Sequence, residues 1–132
     1  MTTDKDLQRA REQAQAQLET LREMVKALNN GTDYEGQDAS EAIQEDPLSV
    51  EIRTDWHTPG DGNNKPTEYT ILLCTGGPAV RIIGDLDQYC QPETTKLEYQ
   101  DWFTPWTRYL TDDDEEADMV TYANQFYYEE VS

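Results

Sequence analysis

Apolar residues recur at helical spacing through the first thirty positions. The apolar stripe consists of Leu7, Ala14, Leu18, Leu21, Val25 and Leu28. Steps of three, four and seven residues place side chains on one side of a helix. The segment from Asp4 to Asn29 contains no proline or glycine, and Asn29-Asn30-Gly31 is typical of a helix end. The pattern therefore predicts one long helix with a narrow apolar stripe.

Three surfaces could cover this stripe. An isolated helix is marginal in water, so the stripe must pack on the chain's own sheet, on a second copy, or in a partner's groove. A coiled-coil seam needs large residues over about four heptads, whereas this stripe is shorter and includes Ala14. The sequence favours docking on the chain's own sheet and leaves dimerisation through the same six residues as the alternative.

Between residues 48 and 102, apolar and polar positions alternate with a period of two. Four strands are predicted, over 48–56, 69–75, 79–87 and 94–102. A polar loop over 31–37 and a short helix over 38–45 precede them, and Gly76-Gly77 is a hairpin signal. Consecutive strands with such connections indicate an antiparallel meander with one polar face open to water.

A second helix closes the predicted fold. Thr111 is the expected N-cap, and the acidic run 112–116 fills the first turn, where the helix dipole favours negative charge. Met119, Tyr122, Ala123 and Phe126 follow at helical spacing as a core-facing stripe. The predicted class is α+β: a four-stranded antiparallel sheet with the long N-terminal helix and this helix packed on one face.

The charge of the chain is unevenly distributed. Its 132 residues hold ten basic and 28 acidic side chains, a net charge of −18. Residues 1–30 are neutral with five of each sign, so the whole excess lies on residues 31–132. We therefore expect two parts, an amphipathic helix over 1–30 and an acidic α+β domain over 31–132. Such charge disfavours direct binding of nucleic acid or of anionic membranes.

The residues that commonly perform catalysis or bind metals are sparse. The single histidine, His57, sits in a loop rich in proline and glycine, and Cys74 and Cys90 are expected as free thiols. No cysteine or histidine spacing suits zinc, and the acidic run 112–116 is typical of a solvated helix start rather than a calcium loop. We expect no enzyme activity, cofactor or metal; a carboxylate-dependent hydrolase is the third alternative. No apolar run spans a bilayer and no signal peptide begins the chain, so a cytoplasmic location is expected.

The acidic excess is larger than solubility requires. A salty habitat is one explanation, and a basic partner surface is the other. The aromatic segment 102–109 offers Trp106 as an exposed anchor, with Trp102 buried. The residues expected to bind the partner are Asp112, Asp113, Asp114, Glu115 and Glu116, then Asp85, Asp87 and Glu98 on the strands, and Trp106.

Several longer phrases resemble a group of short acidic phage and prophage proteins without assigned activity. The phrases are Glu45-Asp46-Pro47-Leu48-Ser49-Val50, Ile71-Leu72-Leu73-Cys74-Thr75-Gly76-Gly77-Pro78-Ala79, Leu97-Glu98-Tyr99-Gln100-Asp101-Trp102, Thr104-Pro105-Trp106-Thr107 and Gln125-Phe126-Tyr127-Tyr128. The resemblance covers residues 45–128. Proteins of this size and charge are similar in type to anti-CRISPR and anti-restriction inhibitors, several of which mimic DNA.

The resemblance implies a phage source, and the likeness in size and charge to these inhibitors predicts an inhibitor that acts in the host bacterial cytoplasm. Its expected partner is the basic, nucleic-acid-binding surface of a CRISPR or restriction complex, which carboxylates could occupy in place of phosphates. The alternative is a small structural module of a phage that dimerises through its N-terminal helix.

Overall fold

A computed structural model describes residues 4–54, 56, 58–60, 65–75, 77–101 and 104–128 of the chain. The fold is α+β, as the pattern of apolar positions predicted. Among these residues, no helix is long and apolar enough to cross a membrane. In chain order the elements are α1 (Asp4–Asn30), β1 (Asp33–Tyr34), β2 (Gln37–Asp38), α2 (Ala39–Glu45), β3 (Ser49–Thr54), β4 (Pro66–Cys74), β5 (Ala79–Asp85), β6 (Lys96–Gln100), β7 (Thr107–Tyr109) and α3 (Asp113–Ala123).

The main sheet is an antiparallel meander of five strands in the order β3-β4-β5-β6-β7. The prediction of four strands was wrong because β7 has only three residues, too few to show an alternation of period two. Pairing with β6 defines this strand, with Leu97 opposite Tyr109 and Tyr99 opposite Thr107. A second departure is the β1–β2 ribbon, which turns through Glu35 and Gly36 at positive φ inside the predicted loop.

One face of the sheet forms the floor of the hydrophobic core. Its buried side chains come from the three central strands: Tyr69, Ile71, Leu73, Val80, Ile82, Leu97 and Tyr99. Helix α1 packs over β5 and β6, and α2 and α3 contact α1. The buried residues Met119, Tyr122 and Ala123 of α3 join the same core, as their spacing predicted. Within the described part of the chain all three helices lie on this side, so the opposite face of the sheet has no helical cover there.

The apolar stripe of α1 lies inside this core. Ala14, Leu18, Leu21 and Val25 are each at most 2% exposed, and Leu7 and Leu28 are partly buried against the same cluster. The structure thus shows the predicted docking on the chain's own sheet. Dimerisation through these six residues would require α1 to leave the sheet and expose the core to water.

Three core tyrosines donate hydrogen bonds through their hydroxyl groups. Tyr122 donates a hydrogen bond of 2.7 Å to the Asp46 carboxylate, and Tyr69 donates one of 2.7 Å to the backbone carbonyl of Thr94. Tyr128 donates one of 2.6 Å to the carbonyl of Ala123. Burial raises the pKa of all three hydroxyl groups above the ordinary value for tyrosine. The three side chains therefore remain neutral donors within the core.

Candidate functional site

The acidic run begins α3 with a complete capping box. The Asp112 carboxylate accepts a hydrogen bond of 2.8 Å from the Glu115 backbone N–H, and the Glu115 carboxylate accepts one of 3.0 Å from the Asp112 N–H. The N-cap is therefore Asp112 rather than the predicted Thr111, whose hydroxyl donates to Glu116 at 3.4 Å. We call residues 112–116 the acidic helix start. Two of its five carboxylates are engaged in capping.

Two arginines partly balance the acidic helix start. Arg108 lies 4.0 Å from the Glu116 carboxylate, and Arg22 of α1 donates to Asp118 at 2.7 Å. The hydrogen bond with Asp118 raises the pKa of Arg22 despite some desolvation, and the charges of Glu115 and Asp112 act in the same direction. Asp118 was not among the predicted residues, because only the fold brings α1 beside α3.

Asp113 and Asp114 are the free carboxylates of the acidic helix start. Both are exposed, and within the described part of the chain neither makes a hydrogen bond or an ion pair. They follow the N-cap directly, where the helix dipole favours negative charge. No group of His, Cys, Asp or Glu among the described residues is arranged to hold a metal ion, this run included. The geometry gives a rigid helix start with two uncommitted negative charges.

The strand residues predicted as partner contacts have other roles within the fold. Glu98 forms an ion pair of 2.7 Å with Arg81, and the two side chains are only 19% and 22% exposed. The guanidinium of Arg81 lies 4.0 Å from the centre of the Trp106 ring. Trp106 is therefore half-buried over a paired arginine, rather than projecting as the exposed anchor expected for it.

Asp85 and Asp87 lie near the end of β5 and shape the turn that follows. Asp85 accepts a hydrogen bond of 3.3 Å from the Thr94 hydroxyl. The Asp87 carboxylate accepts from the backbone N–H groups of Tyr89 at 2.8 Å and Gln91 at 3.1 Å. Asp87 thus closes its own turn. No described contact joins these two residues to the acidic helix start. Trp102 and His57 lie outside the described residues.

The uncovered face of the sheet is balanced in charge. Directly opposed residues in neighbouring strands share a face, so the register assigns these side chains to the side away from the helices. We call this side the open sheet face; its charged residues are Arg53, Arg81, Lys96, Arg108, Glu51, Glu68, Asp85 and Glu98. Period-two alternation already predicted that Arg53, Arg81 and Lys96 point away from the core. Only the strand register shows that these basic side chains lie beside acidic ones on the same face.

The remaining positions of residues 31–132 are almost purely acidic. Four of the five basic residues of this part lie on the open sheet face, beside an equal number of acidic ones. All other positions of 31–132 hold 19 acidic residues and one basic residue, Lys65. Of these 19 acidic residues, Asp55, Asp61, Glu129 and Glu130 lie outside the described residues. The others belong to the turns and loops, the short ribbon and the helices α2 and α3, outside the open sheet face.

Comparison with known proteins gives no relative: no family model, curated protein or solved structure matches this chain. The resemblance to short acidic phage proteins therefore stays a prediction.

Proposed function

We propose that this chain is a non-enzymatic inhibitor whose acidic surface binds the basic, nucleic-acid-binding surface of another protein. The proposed target belongs to a bacterial CRISPR or restriction complex, and the proposed source is a phage. The phage source rests on the sequence resemblance, and the choice of target system rests on the likeness in size and charge to anti-CRISPR and anti-restriction inhibitors. The binding mode rests on the distribution of charge over the fold.

The observation that carries the proposal is the separation of balanced from unbalanced charge. On the open sheet face Arg53 and Arg81 are paired with Glu68 and Glu98, so that face offers little net charge to a partner. The other positions of residues 31–132 hold 19 acidic residues and one basic residue. Mutual repulsion of unpaired carboxylates destabilises the compact state, and a basic partner would relieve it.

The acidic helix start has the rigidity that such binding needs. The capping box between Asp112 and Glu115 fixes the first turn of α3, and the ion pair of Arg22 with Asp118 holds the helix to α1. Asp113 and Asp114 are therefore presented on a preorganised backbone, which reduces the entropy lost on binding. Phosphates also lie a few Å apart along a duplex, so lysines and arginines built to hold them would accept these carboxylates.

The proposal is tested by capture from a bacterial lysate with the Asp113→Asn/Asp114→Asn variant. These substitutions remove two free charges and leave the capping residues in place. A matched control, Glu12→Gln/Glu19→Gln, removes two exposed charges from α1. We expect wild type and control to retain a nucleic-acid-binding protein at low salt and the α3 variant to lose most of it. Equal capture by all three proteins, or capture that does not weaken with salt, would contradict the proposal.

A further inference from the structure

The strand β3 is a long free edge of the main sheet. β3 and β7 are the two edges, and β7 has only three residues whereas β3 has six. β3 pairs with β4 on one side, and no other described strand pairs with its second side. Such an edge presents a row of backbone N–H and C=O groups, a template for another strand.

β3 keeps a regular alternation along its whole length. Its register with β4 shifts between Arg53, which opposes Glu68, and Thr54, which opposes Pro66. The extra residue is therefore Thr67 of β4, and β3 itself contains no bulge. Ser49–Thr54 also contains no proline, and its two charged side chains, Glu51 and Arg53, are of opposite sign.

We propose that β3 pairs antiparallel with β3 of a second copy, centred on Ile52, so that two sheets join into one of ten strands. A two-fold axis normal to the sheet gives this arrangement, with both sets of helices on the same side. In this register Glu51 lies opposite Arg53 of the second copy, and Arg53 lies opposite its Glu51. The edge thus carries complementary charges for its own copy on the open sheet face.

Neighbouring registers lack this match. Centring the pair on residue 51 would place Glu51 opposite Glu51 of the second copy. Centring it on residue 53 would place Arg53 opposite Arg53. Like charges directly opposed across strands are destabilising, so the charge pattern selects the register centred on Ile52.

The same register brings together two exposed hydrophobic side chains that flank β3. Leu48 is 60% exposed and Trp56 is fully exposed. Leu48 directly precedes β3 and Trp56 follows it by two residues, so an antiparallel pairing brings Leu48 of one copy to the end of the joint where Trp56 of the second copy lies. Val50 and Ile52, both half-buried at the sheet edge, lie between them. Hydrophobic anchors at both ends supply the burial that a pairing of five residues per strand lacks.

Two charge reversals test the pairing. The measurement is sedimentation velocity at about 0.15 M salt. At this concentration the screening length is about 8 Å, so the salt weakens the repulsion between two acidic copies. We expect a mass that rises from monomer to dimer over about two orders of magnitude in protein concentration. Glu51→Arg and Arg53→Glu should each weaken self-association at least about tenfold, since each places like charges opposite one another twice.

An equimolar mixture of the two variants should restore the dimer, because every facing pair is again of opposite sign. The matched controls are Glu41→Arg and Arg9→Glu, which change the net charge equally at exposed helical positions. A wild-type chain that stays monomeric, variants that associate as the wild type does, or a mixture without recovery would each overturn the proposal.

Cross-linking tests the register. Directly opposed residues of antiparallel strands have Cα atoms about 4.5–5.5 Å apart, which suits a disulfide. Ile52→Cys faces itself across the two-fold axis, whereas Glu51→Cys faces Arg53 and lies farther from its own copy. We expect a covalent dimer with Ile52→Cys above the background of the free Cys74 and Cys90. Equal cross-linking by both variants would contradict the register.

The proposed joint lies at the edge of the sheet opposite to β7, the strand that leads into α3. Self-association would therefore leave the acidic helix start exposed. A variant that no longer self-associates through β3 should still bind the proposed basic partner, and a variant that no longer binds that partner should still self-associate.

Discussion

Replacing Leu18 by alanine tests whether α1 is an integral part of the fold. Leu18 is 2% exposed and lies in the cluster that joins α1 to the sheet. Truncating a buried leucine removes its transfer free energy and leaves a cavity, at a cost of about 2–5 kcal/mol. A domain of this size is stabilised by about 5–15 kcal/mol, so we expect a folded but weakened protein.

The measurement is urea unfolding followed by far-ultraviolet circular dichroism and by tryptophan fluorescence. A loss of about 3 kcal/mol with a slope of about 1.5 kcal/mol per molar urea lowers the midpoint by about 2 M. Gln15→Ala, on the exposed side of α1, is the matched control and should change stability by less than about 0.5 kcal/mol. Coincident transitions are expected from the two probes. An unchanged midpoint for Leu18→Ala would refute the packing of α1 on the sheet.

Three further predictions concern the cap, the buried tyrosines and the aromatic stack. Asp112→Ala should cost about 1 kcal/mol in urea unfolding, whereas Thr111→Ala should cost much less; the reverse order would place the N-cap at residue 111. Burial raises the folded-state pKa of the three core tyrosines. Their contribution to the free energy of unfolding is therefore complete below the unfolded-state pKa of about 10 and is lost as the pH rises above it. Unfolding measured from pH 8 to 11.5 should therefore show falling stability at the alkaline end, less steeply in Tyr122→Phe; a flat profile would contradict their burial. Trp106→Ala should lower stability by about 1 kcal/mol through loss of its contact with Arg81 and leave partner capture unchanged, whereas an anchor would show the opposite.

The helices and the core could be predicted from the sequence because their signals are local. Leu18 and Val25 recur at helical spacing, and Met119 and Tyr122 do the same in α3, so the buried side of each helix follows from its period. The strand β7 could not be predicted in this way. Three residues are too few to show a period-two alternation of apolar and polar side chains. Thr107–Tyr109 is a strand only because it pairs with β6.

The candidate site was only partly accessible to sequence reasoning, for the same physical reason. The acidic run at the start of α3 is visible as a local pattern, but its division into capping and free carboxylates depends on the backbone of the first turn. Glu98 resembled a free surface charge until the register placed it beside Arg81. Ion pairs between distant positions, such as Arg22 with Asp118, follow only from the packing of helices.

The most direct test of the proposed binding is competition with nucleic acid for the captured target. The target's binding to its nucleic acid would be titrated with the wild-type chain, Asp113→Asn/Asp114→Asn and Glu12→Gln/Glu19→Gln over a range of salt concentrations. We expect the wild-type chain and the α1 control to displace the nucleic acid, with an affinity that falls steeply with salt. We expect the α3 variant to compete poorly. A target that still binds nucleic acid when saturated with the chain, or equal competition by both double variants, would contradict the proposed binding.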